Sequence, residues 1–399
     1  MKRLFGLLKY LIVAICGMLI CFILVPAVKS SAEEETPEIK TFSKNRLDYE
    51  VIQEYSPETG YGAVRITGNS YKGTITGKAI SFYVTNGSEY YYVREIGDQA
   101  FLGTKLEYVE LPYTVTKIGA CAFYGSSSLK SISLGKNVQY IGAGAFAECP
   151  SLTEVYVPTE NPYINVKKNI IYDEAYTCVL SGNGASGSVK LPDTVVEIAA
   201  YAFEGNANIT SVNCDTNLRK IGADAFYNCC SLNSIAIKSK TDDIDGNPFK
   251  YCNSLTDITV SLKNMEYLSK NGMLLTKSGK TLIAYPAAEG DIIIADGIYY
   301  ISEFAFCGAK ELTSIRIPAT VKKIRNGAFY DCRGLKKIFF ESRKTKLVKE
   351  ENVPDMPIFG NTDHYLNISL PYSSEAGNEG SIEAALESNT PKGSIFINR

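Results

Sequence analysis

A chain of 399 residues could hold two or three ordinary domains, and 45% apolar against 21% charged residues is the balance of a folded rather than a disordered protein. The formal charge of −2 includes four cations, Lys2, Arg3, Lys9 and Lys29, within the first 32 residues; the remainder sets 37 basic against 43 acidic side chains, which argues against nucleic acid as a partner. Twenty-seven tyrosines and no tryptophan point to a sheet-rich surface.

Residues 1–32 read as an export signal: a basic start, an uncharged run from Tyr10 to Val28, then Ser30-Ser31-Ala32 before Glu33-Glu34-Glu35. Cleavage after Ala32 is the expected outcome. The apolar run is also just long enough to span a bilayer, so an uncleaved N-terminal anchor is the alternative, and any membrane contact is through this segment alone. Cys16 and Cys21 each follow Ile, where a lipidation site needs a small residue. A linker at 33–46 precedes a β cap at 47–95, where Leu47–Val51, Ala63–Thr67 and Ile80–Val84 alternate as strands do. Asn86-Gly87 is the turn signal of a hairpin joining Ile80–Val84 to Tyr90–Val93. Such a cap covers the apolar end that a first repeat would otherwise expose.

From Ile96 the phrase Ile-Gly-x-x-Ala-Phe recurs, at Ile118 and Ile141, at Ile198, Ile221 and Ile244, then at Ile301 and Ile324, with spacings of 22 or 23 inside groups and 57 between them. The unit from Ile118 is typical: Ala122-Phe123 predicts a short turn, and Leu129-Lys-Ser-Ile132-Ser-Leu134 a strand with Ile132 and Leu134 inward and Ser131 and Ser133 outward. The phenylalanines at 101, 123, 146, 203, 226, 249, 306 and 329 predict a stacked spine. Cys149, Cys229, Cys252 and Cys332 each stand eight residues after their isoleucine, so they read as buried thiols filling a repeated slot; nine cysteines beyond the leader cannot all pair. Two inserts, about 161–195 and 264–298, interrupt the array. Lys168–Leu180 and Lys270–Ile283 parallel each other as hairpins, expected to project at equivalent edges, and Ile118 lies 103 residues from Ile221 as Ile198 does from Ile301. Beyond Phe340 the rhythm decays; Phe359 and Ile368–Pro371 form a last degenerate unit, and 372–399, with a possible helix at Ile382–Leu386, a C-terminal cap or tail.

A period of 20–29 residues with Leu-x-x-Ile-x-Ile in each unit is a leucine-rich repeat signature. The fuller pattern, Ala-Phe-x-x-Cys-x-x-Leu-x-x-Ile-x-Ile-Pro-x-x-Val-x-x-Ile-Gly, carried by Cys332, Leu335 and Ile338 and by Leu312, Ile315, Ile317, Pro318, Val321 and Ile324, resembles the BspA-type leucine-rich repeat of bacterial surface proteins. The resemblance implies a β-rich repeat solenoid, a horseshoe of about nine repeats covering 96–371. It also implies surface adhesion, through host matrix or plasma proteins or other microbes, and it brings no catalytic residue. Ala199, Asp245, Ser302 and Arg325 depart from the usual Gly, and Asn247-Pro248 precedes one repeat Phe, which is expected to loosen that unit.

Enzyme chemistry finds little to stand on. A single histidine, His364, removes His-based triads and zinc schemes; Asp242–Asn247 has calcium-loop spacing but lacks the closing Glu; no carboxylate pair stands out; and Gly182–Gly187 lacks the Lys of a phosphate loop. No catalytic residue, metal or cofactor is assigned. What remains is the outward strand face: Tyr108 and Glu110, Ser131 and Ser133, Glu154 and Tyr156, Ser211 and Asn213, Ser234, Asp257 and Thr259, Ser314 and Arg316, Lys337 and Phe339. Acid and tyrosine lie toward the first end, cation and Phe toward the last. Extended repeat surfaces of this kind suit a macromolecular ligand, a protein of host matrix or microbial surface first and a carbohydrate second. A face that is merely solvated, in a structural spacer of the envelope, is the plain alternative.

Overall fold

The computed structural model of the chain describes residues 39–71, 73, 77–214, 217–348, 357–361, 366–371, 386 and 395–398. The leader, His364 and all of the expected C-terminal helix except Leu386 lie outside them. Each repeat is one turn of a β-solenoid with three sides. A two-residue strand such as Lys117–Ile118 ends in the repeat isoleucine, a hydrogen-bonded turn carries the phenylalanine, and a longer strand such as Ser131–Ser133 leads on to Tyr140–Ile141. Successive short strands pair in parallel, Ile96 with Ile118 and Ile118 with Ile141, and so do the longer ones, Tyr108 with Ser131 and Ser131 with Glu154. Neither wall could close a core alone. Facing one another they bury Ile118, Ile132 and Leu134 with the Phe123 ring between them.

On the third side, the amide of Phe101 donates to the Ala122 carbonyl and that of Phe123 to Ala145, and this register stacks the rings. Phe101 and Phe123 lie 5.1 Å apart at 4°, Phe203 and Phe226 5.1 Å apart at 11°, and Phe306 and Phe329 4.9 Å apart at 18°. The expected cysteine slot is occupied as read, and the thiols also do chemistry there. Cys149, Cys229, Cys252 and Cys332 each donate from Sγ to the carbonyl of the preceding unit's phenylalanine, at 2.9–3.2 Å. In one of the units without a cysteine at this slot, Ser126 Oγ donates to the Phe101 carbonyl at 3.0 Å. The glycine after the isoleucine answers to backbone approach: a Cβ on Gly142 would stand 2.4 Å from the Ala120 nitrogen. All nine cysteines among the described residues are free thiols.

The inserts depart from expectation, because they do not project. In the first, Ile164–Lys167 and Ile170–Asp173 form the predicted antiparallel hairpin. Ile164 and Ile171 pack into the core of the first block, while Ile170 and Tyr172 pack into that of the second. Met273, Leu274 and Leu275 repeat the arrangement, Leu274 facing back and its two neighbours facing forward. Each hairpin is therefore a septum, wet on neither face at its centre, and the uninterrupted apolar runs Ile170-Ile171-Tyr172 and Met273-Leu274-Leu275 are what two buried faces require.

Behind each septum a concealed turn completes the insert. Cys178–Ser181 pairs in parallel with the strand of Ile198, and Gly187–Lys190 with the strand of Ser211; Thr281–Ala284 and Gly290–Ile293 do the same in the second insert. Gly182 takes the phenylalanine place there, donating to Ala202, and Tyr285 takes it in the second insert, donating to Ala305. With these the array reaches about 11 turns rather than about nine. The repeat sheet and the spine are thereby divided among three blocks.

At the N-terminal end the sheet begins with Thr41–Lys44, paired antiparallel to Leu47–Ser56, and continues through Tyr61–Asn69 and Glu89–Ile96 into the short strands of the repeats without a break. The hairpin is present, but Asn86 pairs with Glu89, so its tight turn is Gly87-Ser88 rather than Asn86-Gly87, with φ of 61° at Gly87. Asn247 does not loosen its unit. Its Nδ2 donates to the Phe304 carbonyl at 2.7 Å and its Oδ1 accepts from the Phe249 amide at 2.9 Å, joining turns on the two sides of the second insert. At the other end Ile395–Asn398 adds in parallel to Leu366–Ser369 as a final strand.

Candidate interaction surface

Strand alternation puts the outward residues where it should. In Glu154–Tyr156 only Val155 is buried, and in Lys337–Phe340 Ile338 and Phe340 are buried while Lys337 and Phe339 face solvent. Parallel in-register pairing then aligns these side chains in rows. The first facet holds Tyr108, Ser131 and Glu154 in one row and Glu110, Ser133 and Tyr156 in the next. The second sets Ser211, Ser234 and Asp257 beside Asn213, Ala236 and Thr259. The third sets Ser314 and Lys337 beside Arg316 and Phe339. The septa separate these facets, so the face predicted as one expanse is three.

The concealed turns bring in residues that the spacing of the repeat phrase did not reveal. Ser188 and Lys190 start the second facet, and Asp291 and Ile293 start the third. Asp291 accepts from Ser314 Oγ at 2.6 Å and Thr313 Oγ1 at 2.9 Å, which lowers its pKa. Arg316 Nε donates to Glu341 Oε1 at 2.5 Å, and that hydrogen bond holds Glu341 below the usual carboxylate range. Tyr108 donates to Glu110 across its own strand at 3.2 Å. Several polar side chains of the face are thus held by hydrogen bonds, while the apolar ones stay open: Tyr156 is 62% exposed, Ile293 75% and Phe339 39%.

A second cluster was not legible in advance because its charges look like surface charges. On the turn side, where Glu148 donates its amide directly to the Glu204 carbonyl across the first insert, acidic side chains converge below the surface. Tyr124 donates to Glu204 Oε1 at 3.0 Å, Asn228 donates to Glu148 Oε1 at 3.0 Å, and Lys250 pairs with Asp224 at 2.6 Å. Burial raises the pKa of Glu204 well above the ordinary value, and the nearby Asp224 and Glu148 raise it further; burial raises Glu148 as well. Burial pushes Lys250 down, but the ion pair with Asp224, together with Cys307 and Glu204, leaves it raised. Among the described residues Glu204 Oε2 has no hydrogen-bond partner. A carboxyl whose native pKa is raised costs no stability below its unfolded pKa, and it costs progressively more as pH climbs through the native value. Glu204→Gln should therefore melt above the parent at pH 7.5, by the equivalent of about 1–3 kcal/mol, with the gain shrinking toward pH 4.5. Melts across that range check it, and a variant less stable at every pH would contradict the reading.

Among the described residues no group of His, Cys, Asp and Glu is arranged to hold a metal ion. In the Asp242–Asn247 segment, Asp242 pairs with Arg219 at 3.0 Å and Asp243-Ile244 forms a repeat strand.

With the repeat geometry established, the decisive comparison is the match of residues 94–176, 169–277 and 288–373 to the BspA type leucine rich repeat region, in 6 copies. The chain belongs to the BspA-type leucine-rich repeat family. The matched segments run through the first insert and leave residues 278–287 of the second unmatched. Solved structures of similar fold include a leucine rich cell surface protein from Faecalibacterium prausnitzii, at 21% identity over 88% of this chain and 97% of that one with a TM-score of 0.48. A leucine-rich repeat protein from Eubacterium ventriosum matches at 19% identity over 85% and 98%, with a TM-score of 0.46. The pneumococcal vaccine antigen PcpA matches at 16% over 90% and 99%, with a TM-score of 0.37. No curated protein matches the chain.

Proposed function

We propose that this BspA-type protein is exported, works at or outside the cell surface, and binds a protein ligand through the strand face of its repeats without catalysing a reaction. The observation that carries the reading is the row on the third facet in which Ile293, Arg316 and Phe339 stand side by side in register. Arginine and aromatic side chains on a rigid support are the residues that dominate binding energy at protein interfaces, and an isoleucine with three-quarters of its surface in water gains from being covered. The basic and apolar leader supports export. Host matrix and microbial surface proteins are the ligand classes to test first.

Removing the two anchors together tests it. The parent chain, immobilised and challenged with host-matrix and bacterial-surface extracts, should retain a protein that the Arg316→Ala/Phe339→Ala chain binds about tenfold or more weakly, with both chains melting alike. Equal retention by the two chains would move the site elsewhere, and retention by neither would leave the face to a spacer.

A further inference from the structure

The cap carries an arc of aromatic rings that the repeats do not use. Tyr61 and Tyr92 meet edge to face at 4.8 Å, Phe82 lies 6.5 Å from Tyr92, Tyr83 lies 4.9 Å from Phe82, and Tyr90 lies 5.8 Å from Tyr83. Together they line an open depression of about 310 Å³, the lower end of the size range of small-ligand sites. Phe82, Tyr83 and Tyr90 are each more than a third exposed, so the arc is a contiguous apolar patch and not a set of scattered rings. The strand Glu89–Ile96 builds much of it: Tyr90, Tyr92 and Arg94 share one face by the two-residue period, while Tyr91 and Val93 are buried.

Charge beside the rings narrows the ligand: Glu89 there accepts from the Tyr91 hydroxyl at 2.7 Å, and two cations lie next to the lining residues. The Arg94 guanidinium lies over the Tyr92 ring at 5.7 Å. Tyr113, 5.9 Å from Phe82, carries Lys136 above its ring at 6.0 Å. Neither cation joins an ion pair among the described residues. A ligand that fits must be small, present a flat apolar face to the rings, offer hydroxyls to the phenols around its edge, and carry an anion for Arg94.

We propose that this depression binds a carboxylated sugar. The C–H face of a pyranose lies on the rings, its hydroxyls meet the tyrosine OH groups, and its carboxylate meets Arg94, with Lys136 placed to receive a second acidic unit. The site is independent of the strand face, so either can fail without the other.

An array of uronate-bearing, sialylated and neutral glycans, probed with the purified full chain, tests the class and separates the two sources of carboxylate. Binding to an oligogalacturonate and to the same oligosaccharide with its carboxylates reduced to alcohols, measured by calorimetry, tests the charge. The expected result is retention of carboxylated glycans only. Tyr83→Ser and Tyr90→Ser, both at exposed positions, should each weaken that binding about tenfold. Arg94→Gln should bring the carboxylated ligand down to the level of its reduced counterpart. The proposal is overturned if no glycan is retained, if reduced and carboxylated ligands bind the parent equally, or if the three variants bind as the parent does.

Discussion

Phe226→Ala should lose roughly 3–5 kcal/mol of stability, the cost of leaving a void where a buried aromatic was. The ring is fully buried between Phe203 at 5.1 Å and Phe249 at 5.7 Å, and the strand and turn backbones on either side are tied to their neighbours by the repeat hydrogen bonds. Those bonds keep the walls from collapsing into the gap, which puts the site toward the costly end of such substitutions. Urea titration of parent and variant measures the difference directly. A variant with the parent's midpoint would remove the spine from the stability argument.

Asn206→Ala should cost roughly 2–5 kcal/mol, because one small side chain serves five backbone groups in a buried position. The two hydrogens of its Nδ2 are shared among the carbonyls of Gly182, Asn183 and Ala185 at 2.9–3.3 Å, and its Oδ1 accepts from the amides of Asn208 and Ile209 at 2.7 and 3.1 Å. Asn206 stands in the slot that cysteine fills elsewhere. There a single S–H serves one carbonyl, but beside the concealed turn three carbonyls converge and only an amide can answer them. Asn161 and Asn264 do equivalent work where the chain enters each septum, donating to two carbonyls and accepting from two amides. Asn206→Asp keeps the acceptor, loses the donors and buries a charge, so at neutral pH it should fall at least as far as Asn206→Ala. Denaturation of the two variants decides the matter, and a drop under about 1 kcal/mol in either would show that water replaces the amide.

The regular turns were legible because their packing repeats: an isoleucine on one wall, an alternating strand on the other and a phenylalanine between them leave the same imprint at each pass. The concealed turns were not, and Gly182 shows why. A Cβ there would lie 2.0 Å from the Phe203 ring, so that turn has no space for the residue that marks the others, and the second concealed turn carries Tyr285 in its stead. The outward face was readable residue by residue, whereas its division into facets depends on which core each side of a hairpin enters. That information was present in the unbroken run Ile170-Ile171-Tyr172, which lacks the alternation of a half-wet strand. Glu148, Glu204, Asp224 and Lys250 escaped notice because an acidic turn residue spells the same whether the next turn exposes or covers it. The Tyr90-Tyr91-Tyr92 run read as strand, and its sided chemistry emerged only when Phe82 and Tyr61 came to lie beside it.

The septa also bear on how such a chain can lengthen. Ile171 and Leu274 look back into the preceding core, and Ile170 and Met273 look forward into the next, from positions 103 residues apart. A segment of that length, cut at the same point in each septum, carries matching ends, so a copy of it can be added or removed with each hairpin still facing a core on both sides. A whole compartment is thus one increment by which such a chain can grow, with its own facet of outward-facing side chains free to diverge.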